Sequence, residues 1–264
     1  MDILRSIRAV LFDMDGVLYR GKQVLPGVHE LLNWLDQRSF GYGCITNNAS
    51  LTPAQYADKL AAMGITMPPD RVITSAVATG RYLRTTYPLG TRVFVVGMQG
   101  LREAIFGDGY FVEDTVLPEL VVQGADFTLT YETLRQATLF IRGGATYIAT
   151  NPDKTFPSEE GLIPGAGAVT AALVAATDVV PVVIGKPQPT MFAIGAAMLG
   201  STVEQTLVVG DRLDTDIAGA LAAGMPSVLV LTGVSGREEA TTGSIKPDVI
   251  IADLPALLSS WCAL

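Results

Sequence analysis

Two carboxylates stand two positions apart in Val10-Leu-Phe-Asp-Met-Asp-Gly-Val-Leu18, directly after an apolar run. Carboxylates at the end of a buried strand are costly unless something positive meets them, either a cation or a basic side chain. Gly16 lets the backbone turn sharply there and bare its N–H groups. An acidic turn closing a strand has the same composition, so Asp13 and Asp15 alone decide nothing. Three further clusters repeat the arrangement: Thr46-Asn47-Asn48, Lys186, and Asp211 with Asp216, each just after an apolar segment. Taken singly, they read as a helix cap, a solvated turn and an acidic helix start. Together they argue for one site, because parallel strands end on a common edge where ligands bind.

Each residue type has a use at such an edge. Asp13, Asp15 and Asp211 offer hard oxygen ligands of the kind Mg²⁺ takes, together with waters and a substrate phosphate. Thr46 and Asn47 can donate to phosphate oxygens, through side chains and through N–H groups at a helix start. Lys186 can set a positive charge against a phosphoryl group and relieve repulsion among the carboxylates. A carboxylate can attack a phosphoryl group only if its negative charge is offset in this way. A calcium-binding helix–loop–helix does not fit, because Gly16 falls too early and apolar residues follow.

The elements that must position these residues alternate. Apolar runs predict strands over 10–12, 42–45, 71–74, 92–96, 120–123, 146–149, 182–184, 206–209, 227–231 and 249–251. Helical spacing predicts helices over 26–37, 53–63, 76–85, 101–106, 131–142, 190–199 and 215–223. Thr52-Pro53 has the chemistry of a helix start. Such alternation predicts an α/β fold, a Rossmann-like doubly wound parallel sheet with helices on both faces. The character shifts near Ala78 and returns near Val179. A core of 1–78 and 179–264 is therefore expected, with 79–178 inserted as a second α/β unit. The strand at 182–184, which precedes Lys186, is expected in the core sheet.

Composition sets limits. The chain has 264 residues, 49% hydrophobic, with a formal net charge of −8. It has no Lys/Arg cluster, so nucleic acid is not an expected partner. The apolar region 166–184 is broken by Asp178 and Pro181, so it predicts a helix and then a strand, not a membrane span. Asp2, Arg5 and Arg8 interrupt the N-terminal apolar residues, unlike a secretory leader. A cytoplasmic protein is expected. Cys44 and Cys262 form no framework, and the single histidine, His29, excludes a His-rich metal site.

These residues resemble a known family. Asp13-x-Asp15-Gly16-Val17, Thr46, Lys186 and Gly210-Asp211-x₄-Asp216 are similar, in order, to the four motifs of the haloacid dehalogenase-like (HAD) hydrolases. The strings Phe12-Asp-Met-Asp-Gly-Val-Leu, Thr46-Asn-Asn, Ala149-Thr-Asn-Pro-Asp153 and Gly185-Lys-Pro187 resemble its subfamily IIA, the NagD-like phosphatases. The resemblance implies that the inserted unit is a cap of type C2. It implies a Mg²⁺-dependent phosphatase for a small-molecule phosphorylated substrate, with a homodimer among the allowed assemblies. Asp13 would be the nucleophile, forming an aspartyl-phosphate, and Asp15 the acid and then the base. Asp13, Asp211 and the backbone carbonyl of Asp15 would hold the metal, with Asp216 behind them. Thr46, Asn47, Asn48 and Lys186 would bind the phosphoryl group, joined by the N–H groups of Met14 and Gly16.

In the inserted unit, Asp126, Asn151, Asp153 and the loop 164–167 are candidates to contact the leaving group, or plain loop residues. Competing readings are a phosphonatase, a dehalogenase, and a non-enzymatic module controlled by phosphorylation. A dehalogenase would not need Asp15 and Asp211, and no obvious Schiff-base lysine marks a phosphonatase. A phosphorylation-controlled module would carry its aspartate on a middle strand and would have no reason for a hundred-residue insertion.

Overall fold

The computed structural model describes residues 2–263. Residue contacts divide the chain into two compact units: residues 1–46, 54–73 and 186–264 form the first, and residues 47–53 and 74–185 the second.

The first unit is built on a six-stranded sheet in the order Val249–Ile251, Ser227–Val230, Thr206–Gly210, Ala9–Phe12, Gly41–Thr46, Val72–Thr74. Neighbours from Val249–Ile251 through Gly41–Thr46 run parallel. The central strands are buried throughout, as expected of parallel strands covered by helices. The helix Pro189–Met198 packs on Ala9–Phe12 and on Gly41–Thr46. The helix Val28–Gln37 turns Val28, Leu31, Leu32 and Leu35 inward, which is the spacing that predicted it. It meets the C-terminal helix Leu254–Cys262, whose first turn is capped by Asp253 accepting from Ala256 N–H. There Trp34 stacks on Trp261 at 5.4 Å between ring centroids, and Phe40 sets its edge against Trp261.

The second unit holds a five-stranded parallel sheet in the order Val182–Val183, Thr146–Ala149, Leu120–Gln123, Arg92–Val96, Val112–Glu113. Its core joins Phe94, Val96, Val121 and Tyr147 of the sheet to Ala137 and Ile141 of the helix Tyr131–Arg142, and to Val169 and Leu173 of the helix Ala166–Thr177. Thr74 and Thr130 cap the helices Ser75–Thr86 and Tyr131–Arg142 through their hydroxyls. Among the described residues no helix is long and apolar enough to cross a membrane.

One expectation is corrected here. The strand Val182–Val183 pairs with Thr146–Ala149 in the second sheet, not with the strands that carry Asp13 and Asp211. A short valine run has strand character but does not state its partner. The stretch 164–167, expected as a loop, instead ends the strand Gly161–Pro164, which pairs with Thr155–Ser158 in an antiparallel hairpin, and begins the helix Ala166–Thr177.

Candidate active site

Ala9–Phe12 is gripped on both sides. In its parallel register Phe12 stands beside Val209 and Cys44. One residue on, Asp13 N–H still donates to Val209 O at 2.9 Å. From this strand the sheet grows one way through Gly41–Thr46 and the other way through Thr206–Gly210. Open α/β sheets bind ligands in the crevice at such a reversal. Asp13 and Asp211 flank it, each directly after its strand.

Past Asp13 the chain folds tightly on itself. Leu18 and Tyr19 N–H donate to Met14 O at 2.9 and 3.2 Å, and Gly16 N–H donates to Tyr19 O at 2.8 Å. Gly16 takes φ 81°, and a Cβ on it would lie 2.6 Å from Asp211 Oδ2. Only glycine satisfies both demands. The turn thereby uses the Gly16 N–H on Tyr19, whereas the family resemblance implies that it faces the phosphoryl group.

Lys186 reaches this edge although its preceding strand lies in the other sheet. Its Nζ donates to Asp13 Oδ1 at 2.5 Å, to Asp216 Oδ1 at 2.7 Å and, at 3.4 Å, to Ile45 O. Asp216 sits in a π-helical turn, Leu213–Ile217, which leads into the helix Ala218–Ala222. Its Oδ2 accepts from Arg212 N–H at 3.1 Å. Single π-turns of this kind recur at functional sites. Asp211 Oδ2 accepts from Val234 N–H at 2.8 Å, while Asp211 Oδ1 is buried with no hydrogen-bond partner.

Asp13, Asp211 and Asp216 each offer an oxygen within 4.8 Å of the others. Three carboxylates against one ammonium leave a surplus of negative charge where water is largely excluded. Burial pushes the Asp13 pKa up to about 7, with Asp216 and Asp211 adding to the rise and Lys186 opposing it. Burial and then Asp216 push Asp211 up to about 6. Burial alone would lower the Lys186 pKa, but the Asp13 and Asp216 carboxylates outweigh it and hold the ammonium charged. Hard oxygen donors, surplus negative charge and one partnerless buried oxygen all fit a divalent cation. Asp13, Asp211 and Asp216 are the side chains that could hold it.

Asp15 projects outward beside a second basic group. Partial burial raises its pKa, while Lys59 and Arg20 act to lower it. Lys59, on the helix Pro53–Ala62, donates to Tyr19 OH at 3.1 Å and lies 4.7 Å from the Tyr19 ring centroid. Thr46 ends its strand hydrogen-bonded to buried Tyr56 of the same helix. The sequence pattern did not point to Lys59, Tyr56 or the segment 232–235. In that segment Val234 holds Asp211, Thr232 Oγ1 donates to Gly16 O at 2.6 Å, and Ser235 Oγ accepts from Leu213 N–H at 3.1 Å. Thr232-Gly-Val-Ser235 follows an apolar strand as the other clusters do, and that signal could have found it.

The remaining candidates lie in the second unit. Asn47 Nδ2 donates to Asp153 Oδ1 at 3.1 Å, Asn151 Nδ2 donates to Asn47 O at 2.8 Å, and Asn151 Oδ1 accepts from Asp153 N–H at 3.1 Å. Asn47, Asn151 and Asp153 therefore bind one another. Asn48 Oδ1 accepts from the N–H and hydroxyl of Ser50. Asp126 closes a separate turn, its Oδ1 accepting from Thr128 N–H and Oγ1.

Known proteins resemble this chain in sequence and fold. The family description "Haloacid dehalogenase-like hydrolase" matches residues 10–110, and a second, HAD-hydrolase-like, matches residues 183–257. An acid sugar phosphatase of Staphylococcus aureus is 37% identical over 251 residues, 95% of this chain and 96% of that protein. The solved structure of a glycerol phosphate phosphatase from Mycobacterium tuberculosis, in complex with magnesium, is 36% identical. It superposes with a TM-score of 0.88 over 97% of this chain and 77% of the other. NagD from Escherichia coli K-12 is 31% identical, with a TM-score of 0.88 over 94% of this chain and 97% of its own. The chain belongs to the haloacid dehalogenase-like hydrolases, in their NagD-like branch.

Proposed function

We propose that this phosphatase hydrolyses small phosphomonoesters with Mg²⁺ through an aspartyl-phosphate on Asp13. The observation that carries the reading is Lys186 locked between Asp13 and Asp216, beside the partnerless oxygen of Asp211. Two of the named relatives are an acid sugar phosphatase and a glycerol phosphate phosphatase, and the magnesium complex of the latter supports the choice of metal.

The chain's residues divide the work as follows. Lys186 holds one oxygen of Asp13 and so fixes the plane of the carboxylate. A divalent cation held by Asp13 and Asp211 would supply positive charge there, keeping Asp13 ionised near neutral pH and offsetting the charge of the phosphoryl group. An Asp13 oxygen attacks phosphorus as the bond to the leaving oxygen breaks, and Asp15 gives that oxygen a proton. Asp15, now ionised, takes a proton from water. The water oxygen attacks phosphorus, the bond to Asp13 breaks, and phosphate leaves. The raised pKa of Asp15 suits an acid that must hold its proton until the first step. Thr46 and Lys186 bind the phosphoryl oxygens.

The experiment is phosphate release from p-nitrophenyl phosphate with Mg²⁺. Asp13→Asn and excess EDTA should each abolish release. Asp15→Asn should lower kcat by about 100-fold or more. Full activity in EDTA, or in Asp13→Asn, would sink the mechanism. A dehalogenase reading gains nothing from the structure, since it leaves the carboxylate cluster around Asp211 without a use.

A further inference from the structure

We infer that Asn151 is a positioning residue for the phosphoryl site: it acts through Asn47 and Gly185 on their chain neighbours Thr46 and Lys186. The inference rests on the phosphatase reading above.

Of the four points at which the chain passes between its two units, 46/47 and 185/186 adjoin Thr46 and Lys186. On the second-unit side both passages are pinned to the same pair of residues. Asn151 Nδ2 donates to the carbonyl of Asn47 at 2.8 Å. Gly185 N–H donates to the carbonyl of Thr150 at 2.8 Å. Asn151 is 4% exposed, and its amide also donates to Thr150 Oγ1 at 3.1 Å, which fixes its rotamer. The Asn47 carbonyl accepts a second bond, from Ser75 Oγ at 2.5 Å. Ser75 follows the passage at 73/74, so a third segment joins the same knot.

The knot is packed as well as bonded. A Cβ on Gly185 would lie 2.5 Å from Thr150 O and 2.6 Å from Asn47 Oδ1. No side chain other than hydrogen fits there without displacing one of them. Thr46 and Lys186 each stand one peptide bond from this knot. Displacements of about 1 Å in groups that orient a reacting centre can cost around 100-fold in rate. A short buried amide that sets two such groups at once is therefore a lever on turnover.

This assignment differs from a contact to the leaving group. A leaving-group contact affects substrates unequally, and mostly through KM. A residue that sets Thr46 and Lys186 affects the phosphoryl group, which every substrate shares.

The test uses the full chain with Mg²⁺ and two substrates of unlike leaving group, p-nitrophenyl phosphate and glycerol phosphate. Asn151→Asp keeps the shape but replaces the donor facing the Asn47 carbonyl. It should lower kcat by roughly 10- to 100-fold, by the same factor on both substrates and with little change in KM. Ser75→Ala removes the other bond to that carbonyl and should give a smaller loss of the same pattern. Gly185→Ala should reproduce the Asn151→Asp pattern from the other passage. Unchanged kcat in a folded Asn151→Asp overturns the inference, as does a loss confined to one substrate. Should Asn151→Asp not fold, Ser75→Ala and Gly185→Ala are compared on the same two substrates. Matched losses of kcat then support the inference, and unchanged kcat or a loss on one substrate overturns it. A wild-type protein that releases no phosphate from either substrate fails the phosphatase reading and takes this inference with it.

Discussion

At the scale of the residue, the site turns on carboxylates that dislike where they are. Asp13 and Asp211 carry folded pKa values of about 7 and about 6, above the 3.8 of a free aspartate. Between pH 4 and 7 the metal-free folded chain therefore keeps protons that the unfolded chain has released. Stability is fully present below about pH 4 for these two groups and is lost as pH rises through their folded values. Without metal, thermal unfolding should thus occur at lower temperature at pH 8 than at pH 5.5. Saturating Mg²⁺ should raise the midpoint more at pH 8, where both groups are ionised and bind without losing a proton. A midpoint that does not respond to Mg²⁺ at either pH would count against these residues as ligands. The same balance explains why Lys186 is buried: its charge is held by Asp13 and Asp216 together, and an ammonium so deep would otherwise be driven neutral.

At the scale of the element, strand ends do the positioning, and their tolerance is small. Gly210 closes Thr206–Gly210, and a Cβ on it would overlap the Asp216 side chain. Gly210→Ala should cost about 1–3 kcal/mol in chemical denaturation, as overpacking does. It should lower activity further by pushing Asp216 away from Lys186. Elements with strong local signals were legible in the sequence. Arg92–Val96, Leu120–Gln123, Tyr131–Arg142 and Thr146–Ala149 have the expected limits, because β-branched runs and helical spacing state them directly. Two-residue strands such as Val112–Glu113 carry no period and were not legible. Val182–Val183 has clear strand character, yet its sheet is chosen by a partner 34 residues away, as the pairing of Val182 with Ile148 shows. The core motifs were legible because each places polar residues after an apolar strand. Lys59 and Tyr56 were not, because a lysine and a tyrosine on an amphipathic helix look like an ordinary exposed and buried face.

At the scale of the whole molecule, the second unit is built around its own sheet and its own buried cluster of Phe94, Val121, Ile141 and Leu173. The first unit is assembled from three separated stretches of chain. Both tryptophans of the protein, Trp34 and Trp261, stack on one another inside the first unit. Selectively excited indole emission therefore reports on that unit alone, while far-ultraviolet circular dichroism reports on both. Leu173→Ala, a truncation deep in the second unit's core, should destabilise that unit by about 2–5 kcal/mol. If the units melt independently, it will shift the dichroism midpoint and leave the indole midpoint in place. Equal shifts would show a single cooperative block. The stacked pair is thus a built-in optical probe, sensing one half of a chain whose other half is spectrally silent at that wavelength.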